Sequence, residues 1–318
     1  MKPKEILVFG ASGFIGRNLI RRLTKNNYKV IAVTRDIHQK GYILKTESNP
    51  GYLDIVEIKS FEPNKIRELM RGCNVCVNLI GILYEKKNGQ FNKFHRLLPD
   101  LISKIASESD INQLVHISSL GIENAKDSIY ASSKLNGEEA IKTNFERYVI
   151  LKPSICYGSS DKFTTKFMSL LSLLPFMPLY YKGKTKFAPI HVSDFVEIIF
   201  QVIQKDLNNL TIECVGPEIM SFEKMLKTIL KSIDKKRLLF PLPYQLAKLS
   251  AKLFQLMPEP LLTEDQLKLL RYDNILSGKY KTNFELGFKS EKKFENEINK
   301  YSYNWRVGGQ FSNKKEVV

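Results

Sequence analysis

The sequence predicts an α/β chain, a doubly wound parallel sheet followed by a smaller, mostly helical C-terminal part. Short apolar runs alternate with helical patterns as far as Val215, and a glycine-rich turn directly follows the first run. Beyond Gly216-Pro217 the patterns are helical and are separated by Pro241, Pro243, Pro258 and Pro260.

The elements follow in order. Glu5 to Phe9 is a short apolar run that reads as a buried strand, and Gly10 opens the turn. From Phe14 to Leu23 the apolar residues Phe14, Ile15, Leu19, Ile20 and Leu23 recur at helical spacing. Tyr28 to Val33 is a second strand and Ile55 to Ile58 a weaker third. Lys65 to Met70 is helical, Val75 to Ile80 a fourth strand, Leu97 to Ser107 a helix and Gln113 to Ile117 a fifth strand. Tyr130 to Lys134 starts a helix that Asn136 to Thr143 continues, and the chain then enters a sixth strand, Arg147 to Leu151. Strands alternating with helices require crossovers, which cover both faces of a parallel sheet. Ala188 to Val192 reads as a returning strand, Phe195 to Ile203 as a helix and Leu210 to Val215 as another strand. The apolar stretch Met168 to Tyr181 is broken by Pro175 and Pro178 and spans no membrane; it is a candidate wall for a substrate cleft. The pattern divides into a sheet domain over 1–157 plus about 185–216, and a smaller substrate or partner domain over about 158–184 and 217–318.

Composition narrows the class. The 318 residues are 43% hydrophobic and 26% charged, enough apolar material for a sizeable core. Four cysteines exclude a disulfide scaffold and fit a reducing compartment. The start passes from two lysines straight into strand and glycines, unlike a secretory signal, so a cytoplasmic location is expected. Net charge is +16, spread as +7 over the first 150 residues and +9 over the rest. Diffuse charge of this kind favours anionic partners in general, and no nucleic-acid motif accompanies it.

The turn Gly10-Ala11-Ser12-Gly13-Phe14-Ile15-Gly16 lies between a strand and a helix. Gly10 permits the tight turn, Gly13 lets backbone approach a pyrophosphate, and Gly16 lets helix pack on sheet. The helix start offers unpaired N–H groups and partial positive charge to phosphates. This is a Rossmann-type dinucleotide site, with Gly10, Ser12, Gly13, Phe14, Ile15 and Gly16 as its phosphate-side residues. The second strand runs into Thr34 and Arg35 where an NAD site would place an acid. A guanidinium fork matches a 2′-phosphate, so NADP(H) is favoured over NAD(H). Asp36, one residue on, leaves a ribose contact open.

Tyr130-Ala131-Ser132-Ser133-Lys134 sets a phenol and an ammonium four residues apart, on one helix face. An ammonium beside a phenol favours phenolate and makes tyrosine a usable acid or base. The fifth strand ends in Ser118-Ser119, and Ser119 is the hydroxyl expected to hold a substrate oxygen. Ser119, Tyr130 and Lys134 are therefore the candidate catalytic set.

With these pieces the chain resembles the short-chain dehydrogenase/reductase superfamily, in its extended or atypical branch. Asn78-Leu79-Ile80-Gly81 and Lys152-Pro153-Ser154 match further parts of that pattern. The resemblance implies that Asn78 and Gly81 lie near the dinucleotide, that Pro153 and Ser154 lie near the nicotinamide, and that Tyr130 and Lys134 also touch its ribose. Ile58-Lys59-Ser60 stands where the superfamily usually has an adenine-holding acid. Phe240-Pro241-Leu242-Pro243, Pro258-Glu259-Pro260-Leu261-Leu262-Thr263 with Asp265-Gln266, and Tyr303-Asn304-Trp305-Arg306 narrow the match. Together these resemble the nucleotide-binding accessory subunit of respiratory complex I and, more closely, its bacterial homologues. That resemblance implies a structural nucleotide and a respiratory or quinone-linked partner. The intact Ser119, Tyr130 and Lys134 instead fit an NADP-dependent oxidoreductase or epimerase acting on a small carbonyl or sugar nucleotide; a redox-sensing regulator is a third reading.

Cys73 and Cys76 invite a metal reading, but Cys76 falls inside an apolar strand and no second pair lies near, so no metal site is expected. His38, His95, His116 and His191 are scattered without ligand spacing. Residues Gln245 to Leu256 align Leu246, Leu249, Leu253 and Leu256 along one helical stripe with Lys248 and Lys252 outside it. Core packing is the expected use of such a stripe. Contact with complex I or with the inner face of the plasma membrane is the other.

Overall fold

The computed structural model describes residues 4–311 except 256 and 258. Leu256 of the leucine stripe and Pro258 of the proline-rich motif lie outside the described residues, as do the first three residues.

Six strands and their crossovers build the first half. They are β1 (Glu5–Phe9), β2 (Lys29–Thr34), β3 (Leu53–Glu57), β4 (Val75–Asn78), β5 (Gln113–Ile117) and β6 (Tyr148–Pro153). The helices between them are α1 (Phe14–Thr24), α2 (Ile37–Thr46), α3 (Pro63–Met70), α4 (Leu98–Ser107) and α5 (Ile129–Asn144). A π-helical turn at Asn92–Leu97 leads into α4. Further strands are β7 (Cys156–Tyr157), β8 (Phe176–Leu179), β9 (Lys186–Phe187), β10 (Ile190–His191) and β11 (Leu210–Cys214), with helices α6 (Thr164–Leu173) and α7 (Val192–Gln204) among them. The C-terminal part adds β12 (Met220–Ser221), α8 (Phe222–Ser232), β13 (Leu238–Pro241), α9 (Tyr244–Phe254), α10 (Glu264–Leu269), β14 (Lys281–Thr282) and α11 (Phe294–Asn299).

The main sheet is parallel, in the order β14-β11-β6-β5-β4-β1-β2-β3. Direction of winding reverses between β1 and β4, which opens a crevice at their carboxyl ends. Alternate side chains of β1 feed two cores: Ile6 and Val8 join α1 and α7, whereas Leu7 and Phe9 join α3, α4 and α5. All four are fully buried, each side chain contributing on the order of 1.5–3 kcal/mol. A third cluster, around Met168, Leu171, Met225, Ile229, Phe294 and Trp305, holds the smaller part together.

Three expectations need correction. Residues 188–192 are not one returning strand of the main sheet: Ile190–His191 pairs only with β7, and Val192 already begins α7, with His191 as its N-cap. Helix α5 begins at Ile129, one residue before the expected start at Tyr130, and Ser128 caps it and accepts from Ala131 N. The segment after 217 does not stay apart from the sheet, since β14 pairs with β11 and Phe288 joins the first core. Helix α9 buries Ala247 and Ala251 and leaves Leu246, Leu249 and Leu253 exposed, the reverse of the expected core packing.

Candidate functional site

The segments after β1, β2, β4, β5 and β6 all emerge at one edge of the parallel sheet, and with the start of α5 they carry the residues expected to bind or react. At the first loop, Gly10 has φ +78°, a left-handed conformation costly for any side chain. A Cβ on Gly16 would stand 2.4 Å from Ala11 O and 2.5 Å from Gly10 O, so only glycine lets α1 start here. Gly13 is the N-cap of α1 and has no side chain to satisfy the first-turn amides, which include those of Phe14, Ile15 and Gly16. The side chains of Phe14 and Ile15 turn back onto the first core. These open amides at a helix start suit a pyrophosphate.

The adenosine side has a basic lining. Thr34 Oγ1 lies 3.4 Å from Ser12 Oγ, tying the end of β2 to the turn. Ser12, Arg17, Lys40, Ile43 and Leu44 line a small cavity of about 80 Å³. Arg17 Nε is buried there without a partner, an orphaned donor of the kind an anion satisfies. Arg35 is exposed at the end of β2. Asp36, left open as a ribose ligand, instead caps α2 by accepting from Gln39 N at 2.9 Å. Arg17 and Lys40 escaped the sequence reading because their positions on α1 and α2 converge only when both helices pack beside β2.

At the second loop Asn78 is buried; its amide meets His116 Nδ1 at 3.1 Å, and its Oδ1 accepts from Ile80 N at 3.1 Å. It shapes the loop that brings Gly81 beside Lys134, where an added Cβ would lie 3.4 Å from Nζ. Burial, reinforced by the Lys134 charge, holds His116 well below its usual range and therefore neutral.

The Ser-Tyr-Lys set comes together. Ser119 hydrogen-bonds the Tyr130 phenol, while Ser118 donates to Glu138. Glu138 follows Lys134 by one helical turn and also holds buried Lys152 at 2.6 Å, with Glu123 on the other side at 2.6 Å. Burial pulls the Lys152 ammonium down, but Glu138 and Glu123 keep it above its ordinary value. Lys134 Nζ donates to Ile117 O at 3.0 Å, and burial, only partly countered by Glu138, lowers it to about 8. Burial pushes Tyr130 up to about 12, against the opposing hydrogen bond from Ser119. Tyr130 is thus a neutral phenol at pH 7, and it is only 8% exposed. Its ring lies edge-on to Phe91 and His95, in a cluster that Leu269 and Tyr272 help to close.

Two supports of this region lie far away in sequence. Asp265, in the first turn of α10, accepts from Ser128 Oγ at 2.8 Å, Ile129 N at 2.8 Å and Tyr130 N at 3.0 Å, so a carboxylate caps the helix carrying the tyrosine. His95 meets Ser133 Oγ at 2.9 Å and accepts from Ile82 N at 3.1 Å; burial and then Lys134 lower it to about 3. Ser154, expected beside the nicotinamide, is buried with its hydroxyl bonded to Asn274 Oδ1 at 2.6 Å. A groove of about 330 Å³ lies outside α5, among Asn92, Asp127, Ser132 and Asn136, and its walls do not include Tyr130. Cys73 and Cys76 are buried free thiols, and no metal-binding cluster occurs among the described residues.

A model of the NAD dependent epimerase/dehydratase family matches residues 6–213. The mitochondrial NADH-ubiquinone oxidoreductase 40 kDa subunit of Neurospora crassa is 25% identical over 284 residues, covering 89% of this chain and 74% of that protein. The mitochondrial NADH dehydrogenase (ubiquinone) 1 alpha subcomplex subunit 9 of Mus musculus is 28% identical over 273 residues, covering 85% and 72%. Among solved structures, a dTDP-glucose 4,6-dehydratase from Streptomyces venezuelae with NAD and TYD bound superposes with TM-score 0.70 at 16% identity, covering 94% and 95%. The family model spans well over half of the chain: this chain belongs to the NAD dependent epimerase/dehydratase family.

Proposed function

We propose that the chain holds a nicotinamide dinucleotide, NADP(H) in preference to NAD(H), as an accessory protein of a respiratory NADH:quinone oxidoreductase. The observation that carries the accessory reading is the closure around Tyr130. A general acid must reach its substrate, yet Tyr130 as a residue is only 8% exposed, with its ring packed against Phe91, His95 and the apolar cluster around them. Similarity to complex I subunits over most of the chain supports the same reading. The phosphate preference is supported by Arg35 at the end of β2, by the orphaned Arg17 Nε and by Lys40, with Asp36 committed to its helix cap.

A bound nicotinamide dinucleotide supplies hydride-transfer chemistry. In the accessory reading the protein's part is to hold it: first-turn amides of α1 for the pyrophosphate, basic side chains for the 2′-phosphate, Tyr130 and Lys134 for the nicotinamide ribose. The second reading, an active oxidoreductase or epimerase, rests on the Ser119–Tyr130 hydrogen bond with Lys134 one turn on. There Ser119 orients the substrate oxygen and Tyr130 moves a proton to or from it. Purified protein separates the two. Retained NADPH that neither exchanges nor oxidises with quinones, carbonyls or sugar nucleotides supports the accessory role; exchange with turnover lost in Tyr130→Phe overturns it.

A further inference from the structure

We infer that α9 is a docking surface for an anionic phospholipid bilayer. The helix reads Tyr-Gln-Leu-Ala-Lys-Leu-Ser-Ala-Lys-Leu-Phe over Tyr244–Phe254. At about 100° per residue, Leu246, Leu249 and Leu253 share one sector, and Ala247 and Ala251 lie opposite. The alanines are the buried side, packed with Leu262 and Leu267, Tyr180 and Tyr181. The leucines are 53%, 56% and 60% exposed. A helix stabilised only by its own protein would turn the larger apolar side chains inward. Here three leucines lie in one contiguous exposed row, the pattern of a surface with an outside partner.

Charge selects the partner. Helix α9 has no acidic residue, and its two charged side chains, Lys248 and Lys252, are exposed on one flank of the leucine row. Lys252 makes a long contact with Glu264, 3.8 Å. Leucines entering the acyl boundary beside amines at headgroup level are the two contacts that hold an interfacial helix on anionic lipid. The net charge of +16 adds long-range attraction to the same surface. A second copy meeting this row would crowd both lysine pairs together, which disfavours self-association. The ribbon leading into α9 adds apolar surface, since β13 pairs with β8 and leaves Leu238 and Phe176 exposed.

The inference is independent of whether the nucleotide turns over. Its test is flotation of the full-length, nucleotide-loaded protein with vesicles of phosphatidylglycerol and phosphatidylcholine in equal parts, against phosphatidylcholine alone. The wild type is expected to float with the anionic vesicles and far less with the neutral ones. Leu246→Gln/Leu249→Gln/Leu253→Gln should lower partitioning about a hundredfold, and Lys248→Gln/Lys252→Gln about tenfold. Unchanged nucleotide content and thermal midpoint in both variants separate lost docking from lost folding. Failure of the wild type to float, equal flotation with neutral vesicles, or unaltered flotation of the leucine variant overturns the inference. So does a wild-type dimer that the leucine variant dissolves without any vesicle binding, which would assign the row to a second copy.

Discussion

Around Gly10 to Gly16 the protein leaves donors without partners, while around Tyr130 the groups of the Ser-Tyr-Lys set already have partners within the chain. The first region exposes helix-start amides and buries Arg17 Nε with no acceptor. In the second, Ser119 occupies the phenol, Ile117 O occupies Lys134, Glu138 occupies Ser118, and Asp265 caps the helix. Both lie on the carboxyl edge of one sheet. The contrast teaches that the glycine-turn half offers its donors to an anion, whereas the Ser-Tyr-Lys half spends its donors within the chain.

The largest expected effect breaks the open half. Gly16→Val drives a side chain into the Gly10 and Ala11 carbonyls, and should abolish nucleotide retention while costing about 3 kcal/mol of stability. Urea unfolding and nucleotide analysis of the purified variant check both. A bound nucleotide at wild-type level would show that α1 can start elsewhere.

Acid should loosen the closed half. His95 titrates near 3 in the fold against an ordinary value of 6.5. Below pH 6.5 the unfolded chain therefore takes a proton that the folded chain refuses. The stability it contributes is complete above pH 6.5 and lost as pH falls towards 3, by about 1.4 kcal/mol per unit. His95→Gln should flatten the urea midpoint between about pH 6.5 and 5 relative to wild type; an unaltered slope contradicts the assignment.

Asp265→Ala removes the acceptor of three donors at the start of α5, and a loss of about 1.5 kcal/mol is expected. Amide exchange should rise at Ile129 and Tyr130 while the β1 amides stay protected. Uniform loosening would mean that α10 supports the whole fold and not this helix.

Removing the phosphate-side cations is a finer probe. Arg17→Ala and Arg35→Ala should each weaken NADPH binding about tenfold with little change for NADH. Calorimetric titration with both nucleotides decides it, and equal losses for the two would remove the 2′-phosphate assignment. Smallest of all is Tyr130→Phe. In the accessory reading it removes one contact to the nicotinamide ribose, so nucleotide is still retained but bound modestly more weakly, and stability shifts by less than about 1 kcal/mol, since one hydrogen bond with Ser119 is lost.

Much of the sheet was readable from local pattern. β1 and β5 fall on the residues that periodicity marked, and β2 and β6 within a residue or two. Continuous apolar runs can be satisfied only by burial on both faces, so they announce themselves without tertiary information. Helix α5 starts within a residue of Tyr130, where the sequence places it, and the Ser128 and Asp265 caps fix that start. The leucine row of α9 was read as core because periodicity reports only that one face is apolar. Which face a neighbour covers depends on the shape of that neighbour, and here Leu262, Leu267, Tyr180 and Tyr181 accept alanines.

By itself, then, the sequence determined the doubly wound architecture, the glycine turn and the Tyr130–Lys134 spacing, since each depends on residues within one or two turns of chain. Only the tertiary structure decided that Asp265 caps the tyrosine helix, that Arg17 and Lys40 meet beside Ser12, and that Tyr130 is enclosed. The physical reason is the same in each case. Desolvation and charge pairing depend on distances between residues far apart in the chain, and those distances exist only after packing.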